Sequence, residues 1–555
     1  MQQYQFESVN KLYQGVFARC WDYPAISNYN GATLTYGDFA RRIAEFHILY
    51  ERCGLKKGDK VAICSKNQAN WVVAFFSAMT YGAVPVPILH EFKPGNVHHL
   101  VNHSESRVLF VDDQIWENLN EAEMPGVVTF VQVNGLRILF SRNPEAQYSK
   151  EHITELMDEK YPGGFSAKDI DYHEDSPEEL AVINYTSGTS GFSKGVMLPY
   201  RSIYGNILLG RYAHPQLDEH SNVVSILPSA HMYGLMFEIM FELAQGTHIH
   251  FLTRVPSPKI IMQAMGQVKP GLIISVPLVI EKVYKNMLKP ELEKAGVKTM
   301  RRFLPGFEQV LLGKMRKSLI EGFGGQFAEI IIGGAAFNRE VEAFFRKMKF
   351  PFTVGYGMTE CGPIITYARW KEAKLGSAGY PAVGMEIKID SPDPANIPGE
   401  ILVHGPNVFL GYYKNEEATK EAFTDDGWFR TGDMGVIDED GFLFIRGRNK
   451  CMILGPSGQN IYPEELEAVL NNLPYVVDSL VVESKEGLVA IVYPDFRQGE
   501  KEGLDAAQLQ ACVEKEIAEA NKEFPNYSQI KKVEILPEDF ERTPKKSIKR
   551  YLYQR

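Results

Sequence analysis

The chain has no CxxC pair: its six cysteines, Cys20, Cys53, Cys64, Cys361, Cys451 and Cys512, are scattered. Neither a disulfide framework nor a cysteine zinc site is suggested, and the compartment reads as reducing. Met1 to Asn10 carries neither the basic nor the apolar region of a signal peptide, and the longest conspicuous apolar run, Leu272 to Ile280, is far too short to span a bilayer. Positive charge is in deficit, with 59 basic against 69 acidic residues and a formal net charge of −10. That balance argues against a general nucleic-acid binder. Internal repeats and low-complexity tracts are absent. The expectation is a cytoplasmic protein with no integral membrane segment and no nucleic-acid partner.

What is present is enough apolar sequence for more than one core. The chain has 555 residues, of which 45% are hydrophobic and 23% charged, the composition of a globular protein too long for one ordinary domain. Residues Tyr36, Phe39, Ala40, Ile43, Phe46, Leu49 and Tyr50 recur at helical spacing, and Thr35 with Asp38 reads as a capping box. Short apolar runs at Val61 to Cys64, Val84 to Leu89, Val108 to Val111 and Val223 to Leu227 alternate with helical stretches around Trp71 to Tyr81 and Arg201 to Gly210. This alternation predicts an α/β body of layered βαβ units, doubly wound, with ligands at strand ends.

From about residue 376 the texture changes to short strands and glycine turns, including Met434 to Ile437 facing Phe442 to Ile445 across Asp438 to Gly441. The polar stretch Arg446 to Lys450 then marks a boundary, and the remainder reads β-α-β-β-α-β. The expected organisation is an N-terminal body, 1–447, with a β-rich subdomain over about 376–447, and a small α+β domain, 448–555.

One stretch is built for phosphate. Leu180 to Ile183 feeds into Tyr185-Thr186-Ser187-Gly188-Thr189-Ser190-Gly191-Phe192-Ser193-Lys194-Gly195, whose small residues can present successive amides as an anion nest beside a lysine charge. A flexible Gly/Ser turn would share that composition. The loop is not a Walker A motif, because Lys194 is followed by Gly195 and the glycine spacing differs. Glu360 beside Thr359 offers a hard oxygen ligand for Mg²⁺, or else a carboxylate at a helix start. Tyr356, between Gly355 and Gly357, could face a base or sit in the core. Gly333-Gly334-Ala335-Ala336 after Ile330 to Ile332 leaves room at a strand end, or makes a tight turn. Asp433 could accept from ribose hydroxyls and Arg448 offer a donor fork, their fifteen-residue separation spanning the apparent hairpin.

Together these segments resemble the adenylate-forming superfamily of acyl-CoA synthetases, peptide-synthetase adenylation domains and luciferases. The resemblance runs through Tyr185 to Gly195, Gly355 to Glu360, Gly427 to Asp433, and Arg446 to Lys450 with Asn460 to Glu465, in the family's order. Ser275-Val276-Pro277, Glu281 to Tyr284 and Asn521 to Lys531 make the long-chain fatty acyl-CoA synthetases the most similar branch. The resemblance implies an ATP-dependent ligase that joins a medium- or long-chain fatty acid to AMP and then to CoA. It assigns Thr186, Ser187, Gly188, Thr189 and Lys194 to the phosphates, Glu360 to Mg²⁺, and Tyr356, Gly357, Thr359, Gly334, Ala335, Asp433 and Arg448 to the nucleotide. Gly458 is assigned to the pantetheine channel, Lys450 to the hinge, and His231 to a positioning role near the acyl carboxylate.

The tail departs from the pattern. The family's last motif supplies a lysine to the adenylation transition state, and in ungapped register Ser547 of Arg542 to Arg550 stands at that place. Lys546 is the preferred substitute, with Lys549 and a loss of adenylation as the other readings. An enzyme for an aryl acid or a carrier protein, and a nucleotide-binding pseudoenzyme, are the alternative functions. No amphipathic anchor stands out in the sequence, while a fatty substrate leaves room for peripheral membrane contact.

Overall fold

A computed structural model describes residues 4–186, 193–253, 257–454, 460–484, 487–543 and 548–554. The helix Tyr36–Arg52 starts at the expected cap. Thr35 accepts from the Asp38 amide at 3.0 Å while the Asp38 carboxylate accepts from the Thr35 amide at 3.0 Å, so two otherwise orphaned amides are satisfied reciprocally. Its apolar face meets the helix Ala69–Tyr81, which is apolar nearly all round because it lies inside the core. Aromatic rings lock the junction, with Tyr13 and Phe76 edge-on at 4.8 Å and Phe17 and Phe39 at 5.0 Å between centroids.

The body is mixed α/β, as its βαβ rhythm predicts, but its strands are divided among several sheets. Val84–Ile88, Lys60–Cys64, Ser106–Val111 and Thr129–Gln132 run parallel in that spatial order, with Ile138–Ser141 closing the edge antiparallel. A second sheet places Asn222–Ser225, His248–Phe251 and Pro24–Asn28 in parallel, followed by Thr33–Thr35 in the opposite sense. Ile273–Ser275, Ile330–Ile332 and Phe352–Val354 form a third, fully parallel sheet.

One local feature differs from the sequence reading. The strand Leu180–Thr186 returns as a second strand, Lys194–Pro199, paired antiparallel to it, before the helix Tyr200–Ala213 begins. The glycine- and hydroxyl-rich segment therefore falls between two antiparallel strands, the second of which the sequence reading did not mark. Val196, Met197 and Leu198 are the apolar run that signals the return strand.

The β-rich subdomain is a four-stranded antiparallel sheet of Glu386–Asp390, Gly399–His404, Phe429–Ile437 and Leu443–Arg448. Beyond it, the small domain packs helices Pro463–Leu470 and Ala506–Ala520 on the strands Val476–Ser484, Gly487–Pro494 and Ile530–Ile535. It has its own core, including Leu466, Leu470, Val481, Val513 and Ile517. Among the described residues, no helix is long and apolar enough to cross a membrane.

Candidate active site

Hairpin register brings the first pair of candidates together. Thr186 lies opposite Lys194, and its hydroxyl donates a long hydrogen bond of 3.5 Å to the Lys194 carbonyl. Ser187, Gly188 and Thr189 fall outside the described residues. The far edge of the return strand carries a third short strand, Gly411–Tyr412, whose Tyr412 pairs with Val196. The Lys194 ammonium sits 4.6 Å from the centroid of the Tyr412 ring, a cation held on an aromatic face.

The hydroxyl of Tyr412 points onward and donates to Glu360 Oε1 at 3.0 Å. Burial, followed by the Glu360 charge, pushes this phenol well above its ordinary range, so it acts as a donor. Tyr412 thus joins the lysine of the phosphate segment to the proposed magnesium carboxylate. It carried no recognised motif signal in the sequence.

Glu360 is 8% exposed, and its backbone carbonyl accepts from the Phe409 amide at 2.9 Å. Groups of three or more potential metal-binding side chains are absent among the described residues. The chemistry suits Mg²⁺, which commonly takes one or two protein carboxylates and completes its shell with water and substrate phosphates. A single buried carboxylate that accepts from a neutral phenol, whose ring in turn carries the Lys194 ammonium, fits that demand.

A second constellation lies at the start of Tyr356–Gly357. The Tyr356 hydroxyl donates to Asp433 Oδ2 at 2.6 Å, and Arg448 Nε approaches Asp433 Oδ1 at 3.4 Å. Asp433 and Arg448 are direct cross-strand partners in the hairpin, so the fifteen-residue spacing does bring them together. Burial raises the Asp433 carboxyl, while Arg448 and the Tyr356 hydrogen bond hold it down. Tyr356 is itself buried, at 9% exposure, and the Arg448 side chain is largely exposed.

Gly357 has a reason within the fold: an added Cβ would come 2.1 Å from the Pro363 carbonyl oxygen, a backbone atom. Gly355 has only ordinary contacts, the nearest at 3.4 Å. Thr359 is buried beside Glu360 in the single turn Thr359–Cys361.

On the remaining side, His231 caps the short helix Met232–Gly234, its Nδ1 accepting from the Tyr233 amide at 3.3 Å. That bond leaves a neutral ring protonated on Nε2. Asn184 ties this segment to the phosphate hairpin by donating to the Ala230 carbonyl at 3.0 Å. Tyr233, a residue not singled out by its sequence, donates to the Ile331 carbonyl at 3.1 Å, and its ring lies 3.1 Å from where a Gly333 Cβ would be. Gly334 adopts φ +87°, and Gly334, Ala335 and Ala336 are exposed. The His231 segment and the small-residue turn are therefore neighbours through Tyr233.

The sequence profile of AMP-binding enzymes matches residues 14–413, and that of the AMP-binding enzyme C-terminal domain matches 452–555. The chain belongs to the AMP-binding enzyme family. Among relatives, it is 29% identical to the long-chain-fatty-acid–CoA ligase FadD15 of Mycobacterium bovis, over 90% of this chain and 86% of that one. It is 28% identical to the long-chain-fatty-acid–CoA ligase of Escherichia coli, over 86% and 83% of the two chains. Its fold is similar to ATP-bound MatB from Rhodopseudomonas palustris, with TM-score 0.75, 22% identity and coverage of 99% and 98%. The anthranilate–CoA ligase AuaEII bound to anthranoyl-AMP gives TM-score 0.78 at 17% identity, covering 99% and 96%.

In this AMP-binding enzyme the tail residues are distributed unevenly. Lys546 and Ser547 lie outside the described residues, as does Gly458, and the Lys450 side chain is likewise not described. On either side of 544–547, Arg542 bridges to Ile548 and the Lys549 amide donates to the Glu541 carbonyl at 2.9 Å. The Lys549 ammonium pairs with Glu541 at 3.1 Å, which raises its pKa. Arg550 bonds to Glu467, whose carboxyl burial pushes up to about 7 against the arginine's pull. Lys549 is thus engaged within the small domain itself.

Proposed function

We propose that this AMP-binding enzyme is an AMP-forming acid–CoA ligase acting on a medium- or long-chain fatty acid, with ATP, Mg²⁺ and CoA. The observation that supports the reading is the bridge Lys194–Tyr412–Glu360, which links a cation suited to phosphate with a carboxylate suited to Mg²⁺. The matching relatives support the fatty-acid choice.

In the first half-reaction a carboxylate oxygen of the acid attacks the α-phosphorus of ATP, the bond to the bridging β-phosphate oxygen breaks, and pyrophosphate leaves. Lys194 and Thr186, with Ser187, Gly188 and Thr189, hold the departing phosphates. Glu360 holds Mg²⁺, which neutralises phosphate charge when bound. Tyr356, Gly357, Thr359, Gly334 and Ala335 border the nucleotide, Asp433 takes the ribose and Arg448 lies beside it, while His231 orients the acyl end. Lys546, from the small domain 448–555, offers charge to the transition state. In the second half-reaction the CoA sulfur attacks the acyl carbonyl and AMP leaves, with Gly458 beside the pantetheine.

Ser547 at the expected lysine position favours one competing reading, a nucleotide-binding pseudoenzyme. Acid-dependent pyrophosphate exchange across straight-chain and aryl acids separates them. Exchange peaking with fatty acids, and AMP release on adding CoA, is the expected result. Exchange with aryl acids alone would replace the substrate assignment, and ATP binding without exchange would establish the pseudoenzyme. The compartment proposed is the cytoplasm.

A further inference from the structure

Amphipathic helices of globular proteins turn their apolar side inward. The helix Ala295–Phe303 has no buried residue. At 100° per residue, Val297, Met300 and Phe303 fall on one arc, and Lys298, Arg301 and Arg302 on the opposite one. Phe303 is 72% exposed, Leu304 after it 55%, Met300 50%, and Val310 in the next helix 59%. An aromatic ring left that open is the unusual observation, because single exposed apolar groups are ordinary but a run of large ones is not.

The charge around it runs against the rest of the chain. Between Lys285 and Lys317 stand nine basic and three acidic residues, in a protein whose net charge is −10. Arg301 is paired with Glu308 at 2.6 Å, and Lys294 with Glu291 at 2.6 Å. Lys298 and Arg302 have no acidic partner among the described residues. The Arg302 guanidinium lies 5.5 Å from the centroid of the Phe303 ring, so a cation without an acidic partner sits directly beside an exposed apolar tip, a combination that matches the boundary between acyl chains and anionic headgroups. A second copy of this chain would bring like charge against like charge.

We propose that the helix Ala295–Phe303 and the turn after it dock the protein peripherally on an anionic lipid bilayer. No amphipathic anchor stands out in the sequence because the pattern is short; on this proposal it serves as one because the fold leaves its apolar side uncovered. The proposal goes beyond the catalytic reading and is tested without turnover, so each can fail alone.

The test is flotation of the full chain, without ATP, on vesicles of equal phosphatidylglycerol and phosphatidylcholine and on pure phosphatidylcholine. Binding to the anionic vesicles, weakened by salt, is expected. K298Q/R302Q should lower that partitioning by roughly tenfold or more, and F303S/L304S by at least about tenfold. All four side chains are exposed, so thermal melting should stay unchanged. Failure of the native protein to float on anionic vesicles overturns the proposal, as does flotation of both variants at the native level. A change in oligomeric state in F303S/L304S, by light scattering, with flotation unchanged would assign the patch to self-association instead.

Discussion

The body and the small domain hold their candidate groups in opposite ways. In the body, Glu360 and Asp433 are each buried and gripped by a tyrosine hydroxyl, Tyr412 at 3.0 Å and Tyr356 at 2.6 Å. In the small domain, the Lys549 ammonium is paired at 3.1 Å with an exposed carboxylate, Glu541. On the proposed mechanism, the groups that meet developing charge are locked before substrate arrives, whereas an exposed ion pair of the Lys549 kind contributes little. The histidines divide as sharply: all thirteen precede residue 405, and all five tryptophans, Trp21, Trp71, Trp116, Trp370 and Trp428, also lie in the body.

The strongest way to break the body's side of this contrast is Glu360→Gln. It should lower acid-dependent pyrophosphate exchange by about 10²–10³ and shift the magnesium requirement upward; near-native exchange at the native magnesium demand would remove Glu360 as the metal carboxylate. On the mobile side, Lys546→Ala should cost on the order of 10² in adenylation while thioester formation from supplied acyl-adenylate changes only a few-fold. Equal losses in both halves would end that assignment, and Lys549→Ala provides the contrast, with little effect on either. Tyr412→Phe keeps the ring under Lys194 but removes the bond to Glu360. About a tenfold fall in exchange is expected, concentrated in the magnesium dependence, with Tyr412→Leu lower still; indistinguishable phenylalanine and native enzymes would show the hydroxyl to be idle.

The smallest effect is in stability. Burial lowers His47 to about 3 and His214 to about 4, below an unfolded value of about 6.5. As pH falls below that unfolded value the unfolded chain takes up protons that the folded body refuses, so their contribution is full above about pH 6.5 and is lost toward pH 4. Glu467 in the small domain has the other sign: raised to about 7, it favours folding in acid and loses that contribution as pH rises through 7. Urea unfolding followed by tryptophan fluorescence reports the body alone. Its loss of stability from pH 7 to 5 should be smaller in His47→Gln than in the native chain, and an identical pH slope would show that His47 is not the group titrating.

Local signals were the legible part of the fold. The Thr35–Asp38 cap, the helix Pro463–Leu470 and the hairpin across Asp438 to Gly441 each depend on residues within a few positions of one another. The candidate residues Lys194, Glu360, Tyr356, Asp433 and Arg448 were legible because charge and glycine mark them. Tyr412 was not, since its meaning lies 52 residues away in Glu360 and across a strand pair with Val196. Tyr233 was hidden for the same reason, being tied to Ile331 from 98 residues away. The return strand Lys194–Pro199 was obscured by the glycine-rich segment before it, which reads as the approach to a helix.

The pairing of Asp433 with Arg448 has a thermodynamic consequence. Arg448 is the last residue of the strand Leu443–Arg448, and the chain passes from it through Asn449–Cys451 into the small domain. A ligand that competes with Arg448 for Asp433, or that recruits both, changes the tether at the base of that domain. By linkage, the free energy with which nucleotide biases the domain's posture equals that with which posture biases nucleotide affinity. On the proposed nucleotide reading, Arg448 is a transmission between occupancy and orientation, and Arg448→Ala should uncouple the two without removing either.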